Sequence, residues 1–329
     1  MTEDEIVAAI ESLCRPERFE GRHRILLGIG DDAAVWQPSR SHRSVISTDM
    51  LVEGVHFTRE LMTLEDAGWR ATAANLSDLA AMGAKPVLAT VALGVPANRA
   101  QAEILEIYRG IAACARQYGI AIAGGDLSRS EAIAIAITVV GEVRPSNLKT
   151  RAGGRPGDVL AVTGPLGAAR AGLSGEEAGL AALRRPEPRI AEGRFLAASR
   201  NVDAMIDCSD GLSTDLSRLC AASGCGAVVE AVPVAPAARD AAVRRGEDPE
   251  NLALAGGEDF ELIVAIRPRA FSHLATRYAK HFKRELLRVG VLSKEAGLIW
   301  RGSPLTSTGW DHFARTRIAR ALNQPETEH

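Results

Sequence analysis

Two hydrophobic periods alternate along the chain. Ile6, Ile10 and Leu13 fall on one helical face behind a Thr2/Glu5 capping-box pattern, which predicts a short opening helix. Three strand-like runs follow, Ile25–Ile29, Ala33–Trp36 and Val45–Thr48, broken by Gly, Asp, Pro and Ser and too closely spaced for crossover helices. Thr63 to Met82 returns to the helical period, with Gly83 placed to stop it, and Pro86–Val95 then reads as a strand. Asn98 and Gly119 bracket a second long helix, after which Ile120–Ala123 and Ala132–Val143 supply two more strands.

The period then lapses. Residues 144–157, RPSNLKTRAGGRPG, are rich in Pro, Gly and cations and carry no apolar repeat, so the boundary between two domains, 1–148 and 149–329, is expected there. The second half opens with a strand at Val159–Thr163 and a Gly-rich entry into a helix near Ala168. Helices are expected around 192–198 and 213–222, strands near 204–206, 227–232 and 260–266, and a last helix from about Trp310. Mixed elements in two units predict a two-domain α/β architecture.

Composition narrows the functional classes. With 46% hydrophobic and 24% charged residues in 329, the chain is globular rather than disordered or collagenous. Its 39 basic and 41 acidic residues give a formal charge of −2, a balance that argues against a general nucleic-acid or membrane binder and for a small ligand. The five cysteines, Cys14, Cys114, Cys208, Cys220 and Cys225, are scattered without zinc-site spacing and read as reduced thiols. The acidic start is unlike a signal peptide, and no run approaches a membrane span. A cytoplasmic protein is expected.

Acids recur at strand ends and Gly-flanked turns: Asp31 and Asp32, Asp49, Asp78, Asp126, Asp207 and Asp210. Any one of them could simply cap a turn. Together, if they converge, they demand cations, because two like charges ~4 Å apart cost on the order of 4 kcal/mol at an effective dielectric of ~20. Oxygen-only donors select hard ions, magnesium above all when phosphates share the coordination sphere. Ser47, Thr48 and Asp49 add hydroxyls and an acid at the end of a strand, with His56 in the loop beyond. Asn75 and Asp78 are three residues apart and share a helix face.

Gly124 and Gly125 precede Asp126 in a turn suited to close approach of phosphate to backbone, and Arg151 and Arg155 in the linker could reach polyphosphate oxygens. Asp207, Ser209 and Asp210 occupy a strand-to-helix turn where Asp210 is also placed to cap the helix, and Glu258 and Asp259 sit on a tight turn before a strand. GIGDDA superficially matches a dinucleotide fingerprint, but no helix follows it and its two carboxylates would oppose a pyrophosphate. There is no P-loop and no protein-kinase motif set, so any ATP would be handled through metal rather than a Walker lysine.

GIGDDAAV, STDMLVEGVHF, NLSDLAAMGAKP, GGD, RAGGRPGD, VTGPLG, IDCSDGLSTDL, GGEDFEL and GWDHF, in this order from Leu27 to Phe313, closely resemble the thiamine-monophosphate kinase family. That family belongs to the aminoimidazole-ribonucleotide synthetase superfamily. The resemblance implies an N-terminal domain that dimerises through strands and a C-terminal α/β domain. It implies that Asp31, Ser47, Thr48, Asp49, Asp78, Asp126, Asp207 and Asp210 hold several magnesium ions, with Asp49, Asp126 and Asp210 central to catalysis. Tyr108, Gly125, Asp126, Arg151 and Ser209 would contact ATP, and His56, Glu258 and Trp310 thiamine monophosphate. Trp310 also makes sense physically, since an aromatic face suits a cationic thiazolium.

The implied reaction converts ATP and thiamine monophosphate into ADP and thiamine diphosphate. Within the superfamily, a selenophosphate synthetase would need a catalytic Cys or selenocysteine near its N-terminus, and Cys14 lacks the glycine-rich setting. A hydrogenase-maturation dehydratase would carry a C-terminal cysteine where this chain reads PETEH, and a purine-pathway synthetase should lack the DMLVEGVHF and GWDHF pair. A non-catalytic nucleotide sensor or dimeric module is the reading from another class.

Overall fold

The computed structural model describes residues 3–14, 25–27, 29, 33–99 and 101–306. Helix α1 (Glu3–Cys14) precedes a two-stranded antiparallel ribbon, β1 (Ile25–Leu27) and β2 (Val35–Trp36). Then come β3 (Arg43–Val52), α2 (Leu64–Ala81), β4 (Lys85–Val95), α3 (Gln101–Tyr118), β5 (Ala121–Arg129) and β6 (Ala134–Val143). The four long strands form one sheet in the order β3-β6-β4-β5, antiparallel except for the β4–β5 pair. Alternation leading into and along β6 builds its core face: Ile133, Ile135, Ile137 and Val139 are fully buried in one cluster with side chains of α2 and α3. The other face stays open at β3, where Ile46 is 65% and Met50 53% exposed.

Two strands run further than their composition suggests. β3 continues to Val52, so Thr48 and Asp49 lie inside it rather than at its end, and β5 continues through Gly124, Gly125 and Asp126 to Arg129. Pairing explains the second case: β4 supplies a parallel partner as far as Arg129, which overrides the weak strand propensity of two glycines.

A 3-10 turn at Pro145–Asn147 leads into the second half. In chain order this half holds β7 (Val159–Val162), α4 (Ala168–Leu173), α5 (Glu177–Arg184), α6 (Ile190–Ala197), β8 (Val202–Cys208), α7 (Leu212–Ser223) and β9 (Gly226–Val229). It continues with α8 (Pro236–Arg245), α9 (Pro249–Ala255), β10 (Glu261–Ile266), α10 (Pro268–Phe282), β11 (Leu287–Ser293), β12 (Gly297–Trp300) and β13 (Ser303–Leu305). Its seven strands order as β13-β12-β9-β11-β7-β10-β8, with only β12–β9 parallel. Helix α5, helices α8 to α10 and strands β11 to β13 were not predicted from the pattern; α8 is Ala/Arg-rich and buries only alanines, which gives a hydrophobic count little to detect.

Helix α2 is the element that both halves share. Thr63 caps it with a reciprocal box, accepting from the Asp66 N–H while Asp66 accepts from the Thr63 N–H. Only Glu65 and Asp78 of its 18 residues escape full burial, because the first sheet and α3 pack on one side and α6, β8 and β10 on the other. A helix enclosed all round needs small residues where backbones meet. Gly68 lies against the Ile107 carbonyl, Gly110 of α3 against the Glu65 carbonyl, and Gly193 of α6 against the Ala80 carbonyl, each so close that a Cβ would overlap the oxygen.

The α2–α3 crossing is therefore sensitive to one methyl group. Gly110→Ala is expected to lower unfolding stability by about 1–3 kcal/mol through overpacking, read from the midpoint of a urea titration at unchanged slope.

Candidate functional site

Strand β3 faces two ways, and this sorts the first candidates. Ser47 and Asp49 face α2: the Ser47 hydroxyl donates to Asp78 Oδ2, and the Asp49 N–H donates to Asn75 Oδ1 at 2.9 Å. Asn75 and Asp78 do share one face, and it is β3 that they grip. Thr48 points the opposite way, its hydroxyl 2.8 Å from that of Thr138 across the sheet. The period of two forbids three consecutive side chains from meeting one ligand, so the Thr48 hydroxyl, expected among the metal donors, is not brought to this group.

The second half contributes the turn after β8. Buried Asp207 accepts from the Ser77 hydroxyl at 2.9 Å, an α2 residue adjacent to Asp78. Burial pushes the Asp207 carboxyl well above its ordinary range, Asp78 and Asp215 push it further, and Ser77 and Arg151 oppose them. Asp78 is likewise raised by burial, against the Ser47 hydroxyl and the Arg151 charge. One place in the molecule thus holds an acid from each half with the linker cation Arg151 near both.

Asp210 lies beside it, although Gly211 rather than Asp210 occupies the N-cap position of α7. The Asp210 N–H donates to Asp215 Oδ2 at 2.8 Å, and Arg218 Nη1 joins the Asp210 carboxylate to Asp215 Oδ1, the latter at 2.7 Å. Burial pushes Asp215 up to about 6. Sequence reasoning missed Asp215 and Arg218, yet Asp215 stands inside the IDCSDGLSTDL motif and Arg218 one helical turn beyond it.

The GGED turn stacks on the same place. The Glu258 N–H donates to the Ser209 carbonyl at 2.7 Å, and Gly257 lies on that carbonyl with no room for a side chain. Glu258 itself has φ +72, and its carboxylate meets Arg70 Nη2 at 2.6 Å. Arg70 is 2% exposed and uses its other arm on the Leu183 carbonyl at 2.8 Å, so a buried α2 cation anchors an acid of the other half. Nothing local in the sequence marks Arg70. Asp259 turns away to accept from the Gly167 N–H at 2.7 Å, and burial lifts its carboxyl to about 8.

Other candidates lie apart. His56 Nδ1 accepts from the Val52 N–H at 3.1 Å in the loop after β3. Asp126 is exposed on β5, accepts from the Ser128 hydroxyl at 3.0 Å, and shares a rung with Ala92, Ala136 and Met50. Three strand spacings, roughly 14 Å, separate it from β3, and its rung faces the open side of the sheet. Gly125 abuts the Val91 carbonyl, so its missing side chain serves strand packing. Tyr108 is 3% exposed within the α1/α3 core, where burial raises its phenol. Asp31, Asp32 and Trp310 lie outside the described residues.

Residues 30–143 match the family described as AIR synthase related protein, N-terminal domain, and residues 155–281 the corresponding C-terminal domain. A thiamine-monophosphate kinase of Rhodopirellula baltica is 43% identical over 255 residues, 74% of this chain and 77% of the relative. The chain belongs to the thiamine-monophosphate kinase family. The crystal structure of a family member from Stenotrophomonas maltophilia K279a, 33% identical, aligns over 92% of this chain and 96% of its own with a TM-score of 0.79. The structure described as AaThiL complexed with AMPPCP and TMP, 28% identical, aligns over 94% and 97% with a TM-score of 0.75.

Within this family fold, the donors at Asp78 and Asp207 suit a hard divalent cation. They are neighbouring oxygen donors, one of them buried, whose mutual repulsion a cation would remove. Among the described residues no three His, Cys, Asp or Glu side chains are grouped to hold a metal by themselves, so the pair needs further donors. Asp207→Asn removes the repulsion while its amide oxygen can still accept from the Ser77 hydroxyl. In EDTA the variant should unfold about 2–4 °C higher for each kcal/mol of repulsion relieved, whereas the rise that magnesium confers on the wild type should shrink. Scanning fluorimetry with and without magnesium checks both; an EDTA midpoint below wild type would refute the frustrated pair.

Proposed function

We propose that the chain transfers the γ-phosphoryl group of ATP to thiamine monophosphate, giving thiamine diphosphate and ADP. The observation that carries this reading is the meeting of Asp78 from one half with Asp207 from the other, Arg151 beside them and the Asp210 and Glu258 turns stacked at the same place. The relative described with AMPPCP and TMP supports the choice of substrates.

The residue census suits this reaction. A phosphate monoester has its second pKa near ~6, so the acceptor oxygen is already anionic at neutral pH and no general base is required. The obstacle is bringing one anion to another. Magnesium, when bound, would neutralise the developing charge and hold the two phosphates in line. Asp49 and Asp210 are assigned to the catalytic set, and Asp31, Ser47, Asp78 and Asp207 complete the metal donors; Asp126, expected in both groups, is left out because, like Thr48, it faces the open side of the sheet. Arg151, Gly125 and Ser209 are assigned to the nucleotide, with Tyr108 second to them because its ring is core. His56, Glu258 and Trp310 are assigned to thiamine monophosphate; Glu258, pinned by Arg70, is a fixed acid fit for a cationic thiazolium.

We read residues 1–148 and 149–329 as the two functional units and the assembly as a homodimer formed through the open face of the first sheet. On that face Ile46 is 65% and Met50 53% exposed, apolar side chains of the kind that marks association. Among the described residues no helix is long and apolar enough to cross a membrane, and all five cysteines are free and buried, which favours the cytoplasm.

Purified protein given ATP, magnesium and thiamine monophosphate is expected to form thiamine diphosphate and ADP in equal amounts; ATP binding without diphosphate would favour the sensor. Asp49→Asn and Asp210→Asn are each expected to cut turnover at least ~100-fold while circular dichroism is preserved. Near-normal rates in both at low magnesium would contradict the assignment. Separately, Ile46→Glu with Met50→Lys is expected to give a monomer by light scattering, and an unchanged mass would exclude this face.

A further inference from the structure

A cavity of about 430 Å³ opens toward the other end of the four-stranded sheet, within the size range of small-molecule sites. Trp36 and His42 line it from the segment leading into β3, Lys85 from the start of β4, Glu142 and Arg144 from the end of β6, and Arg194 from α6. None of the residues assigned to the phosphoryl-transfer site takes part. Glu142 pairs with Ser44, whereas Ser47 and Asp49 lie three and five residues further along β3, roughly 10–17 Å away.

Its charge is opposite to that of the acidic site. Lys85, Arg144 and Arg194 supply three cations, none of which makes an ion pair among the described residues. The one lining carboxylate, Glu142, already accepts the Ser39 N–H at 2.7 Å. Exposed cations of one sign around a concavity focus anions, and two arginines add the planar donor fork that phosphate oxygens match. Trp36, half-buried and packed against the cluster of Val87, Leu88, Ala123 and Val140, adds an aromatic side chain to the lining. The surplus of positive charge selects against a cationic ring, so the flat group should be neutral.

From this juxtaposition we infer that the cavity is a second ligand site, which binds a nucleotide free of its metal. The phosphates lie between Arg144, Arg194 and Lys85, and the base lies on Trp36. The acidic site repels a bare polyphosphate, whereas this one attracts it, so the two sites sort the same nucleotide by whether it carries magnesium. Arg194 follows Gly193, the residue seated on the Ala80 carbonyl of α2. An occupant spanning Arg144 and Arg194 would therefore tie α6 to the first sheet at the seam of the two halves.

Calorimetry on the full-length protein in EDTA at low salt tests the inference, with ADP and pyrophosphate as separate probes. One saturable ADP site per chain is expected, weakened at least 10-fold in Arg144→Ala/Arg194→Ala, in Lys85→Met and at 0.5 M salt. Pyrophosphate should bind several-fold more weakly than ADP, and Trp36→Leu should remove that difference. Turnover with magnesium and saturating substrates should remain that of the wild type in the arginine double variant, which also reports its folding. No saturable ADP binding in EDTA, or binding untouched by the arginine and lysine substitutions, overturns the site; equal affinity for pyrophosphate and ADP overturns the nucleotide assignment.

Discussion

Burying α2 on every side is the constraint from which the rest follows. An enclosed helix cannot leave its polar side chains to water, so each must find a partner in whatever packs against it. Thr72 bonds back to its own helix, at the Gly68 carbonyl. Asn75 bonds back to Ala71 and also takes the Asp49 N–H, Ser77 holds Asp207, and Arg70 holds Glu258. The contacts that satisfy the helix are thus the contacts that fix the candidate site, and packing and chemistry share one set of hydrogen bonds.

The same arrangement holds repulsion. Asp78 and Asp207 are raised together, and Asp215, itself raised, stands near Asp207 and Asp210. Arg151 and Arg218 offset part of this from outside the helix. A fold optimised only for stability would replace one of these acids, and keeping them is characteristic of a site whose native ligand supplies the missing positive charge. The stacking of Gly257 on the Ser209 carbonyl has a related consequence: with both turns touching backbone to backbone, Asp210 and Glu258 are held in place relative to each other.

Much of the first half was legible because its signals are periodic: the long run of β6 with Ile133, Ile135 and Ile137, and the two long helices bracketed by Gly83 and Gly119. Asp210, Glu258 and Asp259 were legible as turn residues, whereas Asp49, Asp126 and Asp207 lie inside strands and Asp78 inside a helix, and the grouping of the acids was not legible. Which side of β3 a residue faces separates Ser47 and Asp49 from Thr48, and strand order puts Asp126 on the far edge of the sheet; neither depends on the local residues alone. Arg70 was invisible because a charged residue in an Ala-rich helix reads as a solvated position until the second sheet covers it. In the second half, Ala-rich helices such as α8 and short strands such as β12 carry too few large apolar residues for a period to stand out.

Strand β3 makes the two faces of the first sheet interdependent. Its odd positions, Ser47 and Asp49, bond to α2, while its even positions, Ile46, Thr48 and Met50, belong to the open face that also carries Asp126 along the Met50 rung. If a second copy covers that face, as proposed, burial there restrains the backbone from which Ser47 and Asp49 project, and it brings the Asp126 rung under protein rather than water. A strand with one face in each function can stiffen the site only by being held on both sides, which gives a physical reason for an apolar surface to lie directly behind a group of acids.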